Sequence, residues 1–261
     1  MQDIPVRTIT VKRLSIIDWL RDGKPSTALA LAEAASKWAP EVEHLTCKSA
    51  ADVLFALDYL RESVPQRHIP LVHFEAHGVC GEDGGLSPDT ERSEFLSWEQ
   101  LRLPLRRLNI ATRFNLIVFG AACYGIGFLS AIGRDLGPAT FVASIGFADS
   151  IGANQLLKMT KEFYRSFFCD GTTIDDAIAN ANRESLSPKT DRLHAGASDL
   201  LLADAIRRLV SNDLTAQEAA EKDTRQACEA VMAGIFAYNQ FPENRVRFPI
   251  DLGKLLPSKP A

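Results

Sequence analysis

The sequence predicts an α/β protein built as a three-layer sandwich, with a mostly parallel sheet of about six strands between helices and a helical C-terminal extension. Three observations carry this. Short apolar runs alternate with helix-patterned stretches five times along the chain, the order of a strand-helix-strand succession. Some of those runs, 116–121 above all, are continuously apolar, as strands covered on both faces are. Beyond about residue 195 the pattern changes to helix alone, over 198–210 and 215–237.

Each element has a local reason. Residues 8–19 begin with β-branched residues in near alternation and read as the first strand. The turn cluster Asp22-Gly-Lys-Pro-Ser-Thr precedes an Ala- and Leu-rich helix over 28–38. A short strand is expected over 41–47. Ser49 then caps a helix over 50–63, whose Val53, Leu54, Ala56, Leu57 and Leu60 recur at helical spacing. Strand 71–76 follows. Residues 78–97 are rich in Gly, Asp, Ser and Glu and read as a twenty-residue loop, a length associated with binding and gating. Ser97-Trp-Glu-Gln opens a helix that ends before Arg113, with Pro104 predicting a kink. Strand 116–121, helix 127–135 and strand 140–145 come next, then an amphipathic helix over 155–168 and a helix over 172–182 that begins with a capping threonine. An edge strand is expected over 245–250. No linker composition separates the parts, so residues 1–194 are read as the α/β domain and 195–261 as a helical extension packed on it.

Composition narrows the function. With 46% hydrophobic and 24% charged residues the chain has ordinary globular character, and its net charge of −4 weighs against nucleic acid as a partner. The basic stretch Arg102, Arg106, Arg107 and Arg113 has no interleaved aromatics and reads as a solvated helix face. Apolar runs reach only about ten residues, short of the ~20 that span a bilayer, and Met1-Gln-Asp-Ile-Pro lacks a signal-peptide layout. A cytoplasmic protein with no membrane partner is expected. The five cysteines are odd in number and show no Cys-x-x-Cys spacing, which argues for reduced thiols. Neither a Gly-x-Gly-x-x-Gly after the first strand nor a P-loop is present, and no cofactor is expected.

Two strand ends carry the chemistry. Leu71-Val-His-Phe-Glu-Ala-His-Gly78 runs an apolar strand into His77, and Leu116-Ile-Val-Phe-Gly-Ala-Ala-Cys-Tyr-Gly125 runs another into Cys123. Neighbouring strands lie ~4.8 Å apart, so if these two pair in parallel, imidazole and thiol leave the same edge of the sheet, where open α/β sheets bind ligands. Only a few per cent of a free thiol with pKa ~8.5 is thiolate at neutral pH, and an adjacent imidazole is the usual activator. Gly78 lets a substrate backbone approach, and its N–H with that of Cys123 would form an oxyanion hole. Gly125 and Gly127 free the turn after the thiol and start the next helix, whose N-terminus would favour a thiolate.

The pairing of a strand ending in His-Gly with a strand ending in Ala-Cys-x-Gly resembles the caspase-like cysteine peptidases of clan CD. More narrowly, Glu75-Ala-His-Gly, Glu82-Asp-Gly-Gly-Leu, Ser97-Trp-Glu-Gln-Leu, Leu108-Asn, Ala121-Ala-Cys-Tyr-Gly and Gly171-Thr-Thr-Ile-Asp-Asp-Ala-Ile resemble the bacterial CHAT family, over about residues 8–185. The resemblance implies a caspase-type fold and a Cys–His dyad cleaving a protein substrate. In it Cys123 is the nucleophile, His77 polarises the carbonyl or shuttles the proton, and Gly78 is an oxyanion donor. It also implies an activating partner or ligand and a role in bacterial immunity. Clan members that cut after basic residues often carry an acid two residues before the nucleophile, where this chain has Ala121; Asp149 is the alternative substrate-binding acid, or else a cap for the following helix.

Bland readings stand beside these. Cys47, Cys169 and Cys228 read as ordinary packing cysteines. His73, His77 and Cys80 have a metal-like spacing, yet His73 and Glu75 should be buried below the strand end, so no metal is expected. The rival function is a catalytically silent caspase-like scaffold that binds a partner protein, against which intact His77, Gly78 and Cys123 weigh.

Overall fold

A computed structural model describes residues 11–21, 27–80, 84–113, 115–129, 143–187 and 191–197. Expectations for 130–142 and for everything beyond 197, including the helices at 198–210 and 215–237 and the strand at 245–250, lie outside the described residues.

The first strand, β1 (Arg13–Asp18), is buried along its whole length, and α1 (Thr27–Ala35) returns to start β2 (Glu41–Thr46). The next helix, α2 (Ala50–Ser63), opens on Ser49, whose side chain accepts from the Asp52 N–H while the Asp52 carboxylate accepts from the Ser49 N–H. This is the reciprocal cap expected of a Ser-x-x-acid start. It leads to β3 (Pro70–Glu75). Further on, α3 (Trp98–Ala111) carries a second reciprocal cap, Ser97 with Gln100, and runs through Pro104. Then come β7 (Ile117–Ala121), a 3-10 turn (Gly125–Leu129), β8 (Ala143–Phe147), α4 (Ala153–Phe168), α5 (Ile174–Arg183) and β9 (Leu193–Ala197). The cap of α5 is Thr173.

These strands form one six-stranded sheet in the order β2-β1-β3-β7-β8-β9, with every neighbouring pair parallel except β8 and β9. The expected class, a mostly parallel six-stranded sheet flanked by helices, is the one observed. Alternate residues of each strand feed two cores. Ile17, Val72, Phe74 and Val118 pack with Leu57 and Leu60 of α2 and Leu101, Leu105 and Leu108 of α3. On the opposite face Leu14, Ile16, Leu71, Phe119 and Ile145 pack with Leu31 of α1, Met159 and Phe163 of α4 and Ala177 of α5.

Two elements differ from expectation. The stretch 78–97 is no plain loop: β4 (His77–Val79), β5 (Gly85–Ser87) and β6 (Leu96–Ser97) form a small antiparallel sheet, with Leu86 and Leu96 inserted into the core. Strands of two or three residues are too short to show a period of two. At the other edge, β9 spans position 194/195, where the helix-only region was expected to begin; Leu-His-Ala-Gly-Ala has no β-branched residue to announce a strand.

One buried charge braces the β2 edge. Arg13 on β1 has a fully buried side chain and donates to Glu43 on β2 at 2.6 Å and to Ser63 at 2.8 Å. Arg67 donates to Glu43 at 2.8 Å and pairs with Glu41, and the Tyr59 hydroxyl donates to Glu43 at 2.8 Å. Burial pushes the Glu43 carboxyl up, but the bonds from Arg13, Arg67 and Tyr59 outweigh it and hold the carboxyl below its usual range.

Candidate active site

The register of the sheet brings the two strand ends together. Among the paired residues of β3 and β7, Glu75 stands opposite Ala121. Past that pair the ladder stops: His77 opens β4, and Cys123 lies two residues beyond β7. Beyond Glu75 the chain bends at Ala76 into β4, and it is Gly78 that meets the thiol-bearing residue: a Cβ added to Gly78 would lie 1.5 Å from the Cys123 carbonyl oxygen and 3.0 Å from its nitrogen. Any side chain at position 78 would collide with the backbone of Cys123. The His-Gly motif is thus a contact surface for the other strand end, in addition to any opening it leaves for a substrate.

Cys123 lies on a sharp turn. The Gly125 N–H donates to the Ala122 carbonyl at 3.0 Å, so Cys123 and Tyr124 are the central residues of a β-turn. Tyr124 has φ of 57°, and Cys123 is not among the positive-φ residues, the pattern of a type II turn. Its third position favours glycine, and an L-residue there costs about 1–2 kcal/mol. Gly125 itself has no positive φ; its need is space. A Cβ there would come within 2.1 Å of the Gly120 oxygen on β7, and one on Gly146 of β8 within 2.5 Å of Gly125. Glycines at 120, 125 and 146 let the 3-10 turn lie directly on the backbones of two strands. The expected helix over 127–135 is described only to Leu129, as this turn.

The loop after β8 closes the other side. The Tyr124 N–H donates to the Asp149 carbonyl at 3.3 Å, and the Cys123 thiol faces the Ile151 carbonyl at 3.9 Å. Asp149, part-exposed, is therefore beside the Cys123 turn. Its Oδ1 accepts from the Ser150 N–H at 2.7 Å, while α4 is capped by Gly152 with no side-chain bond, so Asp149 does not cap that helix. The nearby Cys80 and Asp149, in that order, followed by desolvation and Cys123, push the Tyr124 phenol above the usual tyrosine range. Tyr124, Cys80 and Asp149 thus share one neighbourhood. His77, Gly78, Cys123 and Asp149 all come from the carboxyl ends of three consecutive strands, β3, β7 and β8, or from the segments that directly follow them.

His73 belongs elsewhere. It is fully buried beneath the strand end, with Nδ1 at 2.9 Å from the Tyr164 hydroxyl and Nε2 at 2.9 Å from Glu75 Oε2, and it stacks on Phe119. The Thr27 hydroxyl donates to the other oxygen of Glu75. Burial first, and Glu75 second, push the Tyr164 phenol well above its ordinary range, so it stays a donor. Tyr164 and Glu75 engage both ring nitrogens of His73, with Thr27 on the other carboxylate oxygen, which leaves that imidazole no metal-binding nitrogen. Among the described residues no cluster of three His, Cys, Asp or Glu side chains could hold a metal ion, and no helix is long and apolar enough to cross a membrane. Sequence reasoning missed this chain, Tyr124 and the Ile151 carbonyl. A tyrosine placed among Gly120, Gly125 and Gly127 was the one available signal.

No protein-family model and no curated protein matches the sequence. Among solved structures, the chain is similar to the one titled "Crystal structure of the Arg specific cysteine proteinase gingipain R (RGPB)", with a TM-score of 0.46 and 11% identity over 70% of this chain and 46% of that chain. The chain therefore spans less than half the length of that protein.

Proposed function

We propose that the protein is a cysteine endopeptidase of the caspase-like, clan CD type, with Cys123 as nucleophile and His77 as its proton partner. The observation that carries this reading is the packing of Gly78, next in sequence to His77, on the backbone of Cys123, past the ends of the neighbouring parallel strands β3 and β7. In the reaction His77 takes the thiol proton and the sulfur attacks the scissile carbonyl. The resulting oxyanion is met by the N–H groups of Gly78 and Cys123. Collapse expels the amine, which receives its proton from His77, and water then hydrolyses the thioester. Asp149 supplies a carboxylate beside the turn, fitting a basic residue on the substrate.

An activating protein partner or ligand would raise cleavage of the protein substrate. The CHAT-family membership, the cytoplasmic location, the place in bacterial defence or stress and the packing of 195–261 on the domain are proposed on the sequence motifs and patterning alone. The test is cleavage of proteins encoded beside this one, or co-purifying with it, by wild type and by Cys123→Ala: loss of cleavage in the variant supports the peptidase. Persistent cleavage in a clean Cys123→Ala preparation refutes it.

A further inference from the structure

Tyr124 is costly where it stands. Its backbone is left-handed at the third position of the Ala122–Gly125 turn, a place where glycine would be free of strain, in a segment that already uses glycine at 120, 125 and 127. Among the described residues the ring joins neither hydrophobic core, whereas Tyr164 lies wholly inside one. It is part-exposed, next in sequence to the thiol, and its N–H is tied to the Asp149 carbonyl at 3.3 Å, which fixes the ring's base relative to that acid. Strain that persists without a packing gain is the mark of a residue kept for its side chain's work at a site.

We propose that Tyr124 contacts the substrate and sets specificity, its ring forming one wall of the subsite whose carboxylate is Asp149. The inference rests on the peptidase reading and deepens it. A phenol face beside a carboxylate suits a flat cation: the carboxylate pairs with the charge while the ring stacks on it, and a guanidinium stacks better than an ammonium. The phenol, held above its ordinary range by Cys80 and Asp149, keeps its proton at neutral pH and presents a donor as well. The substrate residue taken here is arginine in preference to lysine.

The experiment labels Cys123 with peptidyl acyloxymethyl ketones carrying Arg, Lys, Leu or Asp next to the warhead, in the full chain as wild type, Tyr124→Gly and Tyr124→Phe. Melting temperature and labelling of Cys123 by iodoacetamide are measured alongside. Tyr124→Gly is expected to melt no lower than wild type, to react with iodoacetamide unchanged, and to label at least tenfold more slowly with the Arg peptide through weaker binding. The loss should be larger for Arg than for Lys. Tyr124→Phe, which keeps the ring and the fold, should retain most of the Arg preference. Tyr124→Gly labelling as fast as wild type with the Arg peptide overturns the inference and leaves the peptidase reading standing. Equal slowing with iodoacetamide also overturns it, because the ring then supports the thiol and not the substrate. Wild-type Cys123 that takes no peptide probe at all removes the peptidase reading, and the subsite with it.

Discussion

Two cysteines follow the carboxyl ends of parallel strands in the same sheet, and their surroundings are opposite. Cys47 comes directly after β2 and Cys123 two residues after β7. Cys47 is only 4% exposed, its N–H continues the ladder by donating to the Asp18 carbonyl at 2.8 Å, and burial, with Asp52 and Asp18 adding, pushes its thiol up to about 12. Cys123 is part-exposed on a tight turn, with Gly78 against its backbone and two loop carbonyls facing it and its neighbour. A strand end is therefore not enough to make a nucleophile. At Cys47 the chain stays in register and seals the thiol; at Cys123 a turn and glycine contacts lift it to the surface beside a second strand end.

The contrast can be broken most forcefully by deletion. Replacing Cys123 by Ala should reduce cleavage by about 10⁴-fold or more, while Cys47→Ala leaves the rate within a few-fold, read from initial rates on the same protein substrate. Next in size is thiol reactivity. A thiol at about 12 should alkylate roughly 10³-fold more slowly near neutral pH than one of ordinary acidity. Mass spectrometry after timed alkylation should thus find Cys47 unmodified until the protein unfolds, and early modification of Cys47 would remove the contrast.

Backbone contact separates the regions as well. Gly78→Ala forces a Cβ into the Cys123 carbonyl, whereas a Cβ at Gly152 meets nothing within 4 Å. The first should lower stability by about 3 kcal/mol and take activity with it; the second, which loses only the glycine N-cap of α4, should cost about 1 kcal/mol or less. Urea denaturation of both variants measures the difference. The smallest effect concerns the β2 strand that leads to Cys47. The Glu43 carboxyl is held below its ordinary range in the folded state, so its contribution is complete above the unfolded value of about 4.3 and disappears as pH falls through the lowered folded value. Stability measured from pH 6 to pH 3 should fall further in wild type than in Glu43→Gln.

Much of this was legible in the sequence because each strand carries its own signal. Leu116 to Ala121 could be little else than a buried strand, and Ser49 and Ser97 announced their helices through side chains three residues away. Partner choice was not legible: nothing local to Leu71–Glu75 says that its neighbour is Ile117–Ala121 and not Glu41–Thr46, since strand order depends on how the helices pack across both faces. Short strands escaped for lack of a period, as in Gly85–Ser87. The burial of Arg13 was not legible either, because its partners Glu43 and Ser63 lie 30 and 50 residues away. Asp149 was placed by the end of its strand, and Tyr124 was passed over because a backbone angle leaves no mark on composition.

On the proposed dyad, His77 would activate Cys123 above the other accessible thiols. This is tested by iodoacetamide labelling rates at pH 7 for Cys123 and for the exposed Cys80 and Cys169, in wild type and in His77→Ala. Cys123 should react at least tenfold faster than either exposed thiol, and His77→Ala should erase that lead while leaving Cys80 and Cys169 unchanged. Equal rates at all three thiols, insensitive to His77, would contradict the account.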